Sequence, residues 1–105
     1  MKNIKPINNK GEPHGYWEIY YDNGNLSYKG HLVNGDSNGY WEFYCNDGNL
    51  ISKGNYLNNK RHDYWEVYLD NGNIRYKGNY INDTKNGYWE WYNDNGKPRL
   101  KEFYI

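Results

Sequence analysis

Four glutamates, Glu18, Glu42, Glu66 and Glu90, recur along the chain, and evenly spaced carboxylates are the first candidates for general acid and base work. That chemistry needs two carboxyls whose surroundings split their pKa values. Here each Glu follows a Trp and precedes a Lys by the same interval, at Lys29, Lys53, Lys77 and Lys101. Four carboxylates in one repeated environment have no reason to differ, so they are expected to serve as cross-strand ion-pair partners. His14, His31 and His62 form no His-x-x-x-His set and the single Cys45 no Cys-x-x-Cys, so no zinc site is expected and the histidines fall on turns or the surface. Cys45 stands where the other copies have Tyr21, Leu69 and Asn93, a position of packing rather than of a nucleophile. Gly24, Gly48 and Gly72 lack the strand-to-helix setting of a phosphate-cradling loop and are expected in turns. No catalytic residue, metal or cofactor is therefore expected, and the chain is not expected to be an enzyme.

What remains is aromatic. Trp17, Trp41, Trp65 and Trp89 recur every 24 residues, each preceded by Tyr16, Tyr40, Tyr64 or Tyr88 and followed three residues on by Tyr20, Tyr44, Tyr68 or Tyr92. A turn signal closes each unit: Asn23-Gly24, Asp47-Gly48, Asn71-Gly72 and Asn95-Gly96. Such dipeptides between apolar runs predict β-hairpins with a two-residue type I′ loop, both loop residues at positive φ. With Asn23-Gly24 as that loop, Tyr21 meets Leu26, Ile19 meets Tyr28, Glu18 meets Lys29 and Trp17 meets Gly30. The same rule sets every other Glu opposite its Lys, Trp41 over Gly54 and Trp65 over Gly78. The fourth hairpin departs, with Glu102 opposite Trp89 and Pro98 after the turn.

Composition agrees with an all-β chain: Ala and Gln are absent, while Tyr (14) and Trp (5) supply much of the apolar area. The expected architecture is a single-layer, twisted antiparallel meander of four 24-residue hairpin repeats over 11–105, with 1–10 as a lead-in. Between the hairpins, 34–38, 58–62 and 82–86 are short polar links. Alternation places Trp17, Trp41, Trp65, Trp89, Phe43, Trp91, Tyr56 and Tyr80 on one face, together with Ile19, Val67, Leu26, Leu50 and Ile74. The other face takes Tyr16, Tyr40, Tyr64, Tyr88, Tyr20, Tyr44, Tyr68, Tyr92 and the ion pairs.

Lys+Arg and Asp+Glu balance at 13 each, which leaves no field to draw the chain to generic nucleic acid or an anionic membrane. No apolar run approaches the length of a membrane span, and a lone Cys fits a reducing compartment, so a cytoplasmic location, that of a bacterial host, is expected. The abundance of Asn, Lys, Tyr and Ile is the bias of an AT-rich genome, frequent in phages and mobile elements.

Tyr28-Lys29-Gly30, a variable link and Gly39-Tyr40-Trp41-Glu42 resemble the MORN repeat, in its bacterial variant with a G-x-W-x-x-Y-x-x-N-G core. Lys60-Arg61-His62 is similar to that family's basic link. Asp63, where the other copies carry Gly15, Gly39 and Gly87, departs from the pattern and bears on whether the third link turns in the same way. The resemblance implies an elongated antiparallel sheet used for protein interaction, with antitoxin-like proteins among the bacterial variants. A sheet with no helix or second layer to cover it leaves aromatic surface open, and open aromatic surface binds.

The expected function is thus a non-enzymatic protein-binding module docking through the Trp face, with the Tyr face as a second candidate. Its finer form is an inhibitor of a toxin or of a bacterial defence or CRISPR effector. Two alternatives accompany it. One is a nucleotide sponge that stacks bases in an aromatic groove, with Lys29, Lys53, Arg75 and Lys77 at the phosphates. The other is a homo-oligomeric scaffold, dimerising through the C-terminal edge.

Overall fold

The computed structural model describes residues 2–105. Eight strands, β1 (Gly15–Tyr20), β2 (Leu26–Val33), β3 (Asp36–Tyr44), β4 (Leu50–Leu57), β5 (Lys60–Tyr68), β6 (Ile74–Ile81), β7 (Thr84–Tyr92) and β8 (Pro98–Tyr104), form one sheet. They lie in sequence order, every pair antiparallel. The molecule measures 47 × 34 × 11 Å, the thickness of a single layer with its side chains. No helix among the described residues is long and apolar enough to cross a membrane.

The two-residue turn expected at the hairpin loops forms at the links instead. At Asn23-Gly24 the loop has three residues: Tyr21 N–H donates to the Asn25 carbonyl (2.8 Å), and Gly24 N–H to the Tyr21 carbonyl (2.9 Å). Positive φ falls on Gly24 (90°) alone, a type I turn with a glycine bulge. Asn23 keeps an ordinary φ because its side-chain oxygen accepts the Asn25 N–H (2.9 Å). The two-residue turns with both φ positive are instead the links, Asn34-Gly35, Asn58-Asn59 and Asn82-Asp83. Asn and Asp reach that region where most residues resist it.

A three-residue loop ought to shift the register, but a bulge follows and restores it. Tyr20 pairs with Leu26 while Ile19 pairs with Tyr28, so Ser27 is the extra residue. The expected Tyr21–Leu26 pair is therefore corrected, whereas Glu18–Lys29 and Trp17–Gly30 stand as expected. The shift recurs at Ile51, Arg75 and Arg99. Leu26, Leu50 and Ile74 lie opposite Tyr20, Tyr44 and Tyr68, which moves them off the Trp face.

Asp63 adopts φ 64°, in the same left-handed region as Gly15, Gly39 and Gly87, so the link at 58–62, ahead of the third Trp, turns as the others do. The core is small and one-sided: Trp41, Trp65, Tyr80 and Trp89, the last fully enclosed. Residues before β1 lie along its edge, where Ile4 and Glu18 exchange backbone hydrogen bonds of 2.9 and 3.0 Å.

Candidate functional site

The Trp face is built one repeat out of step with expectation. Trp41 and Trp65 have a glycine on both flanking strands, but each ring lies over the glycine of the preceding hairpin, Trp41 on Gly30 and Trp65 on Gly54; Trp89, which faces Glu102 on β8, likewise lies on Gly78. A Cβ at those glycines would stand 2.0, 2.2 and 2.2 Å from the indole Cδ2, so no other residue fits there. Beside each glycine the strand register shifts, and the indole N–H takes the next carbonyl: His31 for Trp41 (3.0 Å), Asn55 for Trp65 (2.8 Å), Asn79 for Trp89 (2.9 Å). Trp17 has no preceding hairpin and bonds to the Pro6 carbonyl instead (2.9 Å). This also accounts for Glu102: among the described residues no Trp ring lies over it, so no glycine is required.

Laid flat in this way, the rings cover their own sheet. Trp41 and Trp65 are 5% exposed and Trp89 is 0% exposed, so these three rings themselves offer little open surface on the Trp face. Tyr56 meets Trp65 edge-on (5.1 Å) and Tyr80 does the same to Trp89 (4.8 Å), while Phe43 and Trp91 pack against this core and stay half-buried. Tyr28 and Tyr76 belong to the same face, paired with Ile19 and with Trp91. Both were legible in the register, which set Tyr28 against Ile19. A cleft of about 400 Å³ runs over Phe43, Tyr56, Val67 and Tyr76, and another of about 420 Å³ over Tyr76, Tyr80 and Trp91. Arg61 and Lys85 rim the second; sequence reasoning had noted Arg61 merely as part of a basic link. Arg61 donates from Nε to Asp83 Oδ1 (2.9 Å) and from Nη1 to the Tyr80 hydroxyl (3.0 Å).

On the opposite face the register makes one charged row across all eight strands: Glu18, Lys29, Glu42, Lys53, Glu66, Lys77, Glu90 and Lys101. The ion pairs close between hairpins, Lys29 Nζ to Glu42 (3.3 Å) and Lys53 Nζ to Glu66 (3.6 Å), rather than within them. The tyrosines hold these carboxylates: Tyr16 and Tyr20 donate to Glu18 (both 2.6 Å), Tyr40 and Tyr44 to Glu42 (2.7 and 2.6 Å), and Tyr64 (2.7 Å) and Tyr68 to Glu66. Although burial opposes it, these hydroxyls hold the Glu42 and Glu66 carboxyls below the usual carboxylate range. Burial and the same bonds push the Tyr16 and Tyr44 phenols up to about 12. Clamped carboxylates shifted in the same direction are poor general acids.

The clamps leave the outer rings open. Tyr40, Tyr64 and Tyr88 are 46, 42 and 61% exposed, beside Val33, Leu57 and Ile81 at strand ends and Phe103 opposite Tyr88. Tyr20, Tyr44, Tyr68 and Tyr92, the inner row, are half-buried.

The other candidates stay structural. His14 Nδ1 accepts the Asn34 N–H (3.0 Å), and His31 packs on Tyr16 (5.5 Å). Desolvation, Asp47 and Asp70 push the Cys45 thiol up, the wrong direction for a nucleophile. Among the described residues no three His, Cys, Asp or Glu side chains come together as a metal site. The phosphate ligands expected of Lys29, Lys53 and Lys77 lie in the charged row, on the far side of the sheet from the Trp clefts.

A family model described as MORN repeat variant matches residues 13–34, 37–58, 64–82 and 85–105. Among solved structures the chain is similar to the crystal structure of TarM, with a TM-score of 0.50 at 16% identity. That alignment covers 94% of this chain and 19% of the other, so the chain spans about a fifth of that protein's length and shares its fold over that part. No curated protein matches.

Proposed function

The chain belongs to the MORN repeat variant family, and from that premise we propose that it is a non-enzymatic repeat module that docks a protein through its tyrosine face. One observation carries the reading: most of the exposed large apolar side chains, Tyr40, Tyr64, Tyr88, Val33, Leu57, Ile81 and Phe103, share one face, in register from repeat to repeat, while Ile51 and Leu100 are exposed on the Trp face. Exposed apolar patches of this kind mark interaction sites, and tyrosine is enriched at their energetic centres. A sheet 47 by 34 Å is broad enough for the roughly 800 Å² per partner of a stable interface. The charged row along the patch supplies a polar border. Clamped carboxylates and a raised thiol pKa support the non-catalytic reading.

In its finer form the partner is a toxin, or a bacterial defence or CRISPR effector, that the module inhibits. Small size, balanced charge and the resemblance to antitoxin-like variants support this. The test is affinity capture with three baits: wild type, Leu57→Ser/Ile81→Ser/Tyr88→Ser, and Arg75→Glu/Arg99→Glu. A partner kept by the first and third and lost by the second is the expected result. Loss by the third bait alone, or no partner for any bait, overturns the docking face. Restored growth when wild type is co-expressed with the captured partner is expected of an inhibitor, and unrelieved toxicity overturns that finer form.

Self-association has its own supporting observation. Among the described residues nothing pairs with the outer edge of β8, with Leu100 and Phe103 exposed on that strand, whereas the β1 edge is bridged by Ile4. Sedimentation at high concentration is expected to show a dimer through β8 on this reading, and a stable monomer overturns it.

A further inference from the structure

The Trp face changes character along the array. At the bulge position the four copies carry Ser27, Ile51, Arg75 and Arg99, and four residues before each Trp they carry Pro13, Ser37, Arg61 and Lys85. The position two residues after each Trp runs Ile19, Phe43, Val67 and Trp91. Repeats one and two are therefore uncharged at these positions, while repeats three and four place four cations around Tyr76 and Trp91. In a chain of zero net charge this concentration is local, and the fold does not need it, because the first two repeats form the same strands without it.

The geometry separates the cations into two pairs. At the link end, Arg61 is tied to Asp83 and the Tyr80 hydroxyl. Lys85 Nζ sits 5.4 Å from each of the Trp89, Trp91 and Tyr104 rings, a cation held by three aromatic faces. At the loop end, Arg75 and Arg99 are exposed, and among the described residues neither has an acidic group within 4 Å. They line an open cleft of about 820 Å³ together with Tyr76, Trp91 and Asp94, and Arg75 also lines a smaller neighbouring cleft with Asp70 and Asp94. The volume lies within the range of small-ligand sites, roughly 300 to 1,000 Å³.

We propose that this cleft binds a phosphorylated nucleotide, its base stacked on Tyr76 and Trp91 and its phosphates held by Arg75 and Arg99. Tyr76 and Trp91 are direct cross-strand partners and both line the cleft. Stacking on aromatic rings tolerates any base, because every base has a π face. The guanidinium forks supply planar, paired donors that match phosphate oxygens. Lys85, held against Trp91, adds positive charge beside these rings. The same base and phosphate chemistry comes from a free nucleotide or from single-stranded nucleic acid. The site is on the opposite face from the protein-docking surface, so either assignment stands without the other.

Calorimetric titration of the whole chain with ATP, adenosine, tripolyphosphate and a single-stranded DNA oligomer of about 12 nucleotides tests the assignment. ATP or the oligomer is expected to bind saturably and more tightly than adenosine or tripolyphosphate; whichever of the two is tighter identifies the source. Arg75→Glu/Arg99→Glu is expected to weaken binding about tenfold or more, and Trp91→Leu also to weaken it. Lys10→Glu, an exposed charge reversal in the lead-in, and Leu57→Ser/Ile81→Ser/Tyr88→Ser are expected to leave it unchanged. Retained melting transitions in these variants exclude unfolding as the cause. The proposal is overturned by no saturable heat with ATP and oligomer at millimolar concentration. It is equally overturned if tripolyphosphate matches ATP, or if the double arginine variant binds like wild type.

Discussion

Two faces of one sheet carry comparable sets of aromatic rings and put them to opposite use. On one, Trp41, Trp65 and Trp89 lie flat against glycine and are buried; on the other, Tyr40, Tyr64 and Tyr88 stand over a charged row and are exposed. The difference originates beneath the ring rather than in it. A glycine lets an indole settle into the depth a Cβ would occupy, and its N–H finds the carbonyl freed by the register shift. A tyrosine beside Glu is held by its hydroxyl and cannot settle, so its ring stays accessible while its polar end is satisfied. A single-layer protein thus makes a core from one face and keeps the other for contact.

The strongest way to break this contrast is at its most enclosed member. Trp89→Ala removes the fully buried indole and is expected to cost about 3 to 5 kcal/mol in denaturant unfolding. An exposed counterpart, Tyr88→Ser, is expected to change stability by less than about 0.5 kcal/mol; equal losses would sink the distinction between the faces. Next in size is the ground beneath the rings. Gly54→Ala drives a methyl into Trp65 and is expected to cost about 1 to 3 kcal/mol or more, whereas Glu102→Ala, at the equivalent place with no Trp above it, is expected to be near neutral. A tolerated Gly54→Ala would show that the Trp rings are not seated as described.

Smaller effects sharpen the tyrosine face. Tyr64→Phe removes one hydroxyl from the Glu66 clamp and is expected to cost about 1 kcal/mol, with the exposed apolar ring retained. The clamps also set the pH limits. Because the folded state holds Glu42 and Glu66 below their usual range, their contribution is present near neutrality and fades as pH falls below about 4.5. Tyr16 and Tyr44 are raised instead, so their contribution is complete below pH 10 and is lost as pH rises towards about 12. Ultraviolet titration of the phenols should show these two ionising late. If every tyrosine ionised near 10, the clamps would not persist in solution.

Much of the fold was legible because a period of 24 leaves few alternatives. Glu opposite Lys in every copy and Trp opposite Gly are consequences of register, and register follows from strand alternation and where the chain reverses. The turns were located, but the two-residue type expected at the hairpin loops forms at the links. The pairing survived because the extra loop residue and the bulge at Ser27, Ile51, Arg75 and Arg99 compensate. Tyr28 and Tyr76 could have been assigned to the Trp face from the register alone. Arg75 and Arg99 could not, since strict alternation puts a bulged residue on the wrong side.

By itself, then, the amino-acid sequence determined the repeat, the strand order and which residues face one another, because those depend on local chain geometry and a side-chain period of two. The tertiary structure alone decided which glycine each Trp covers, which Lys each Glu meets, and which aromatic rows remain open. Trp41 and Trp65, and Glu42, Glu66 and Glu90, have a suitable partner on both neighbouring strands, and strand pairing treats the two as equivalent. The choice between them comes from the tilt of side chains across a twisted sheet and from the carbonyls that the bulges set free, and neither is written in the spacing of the residues.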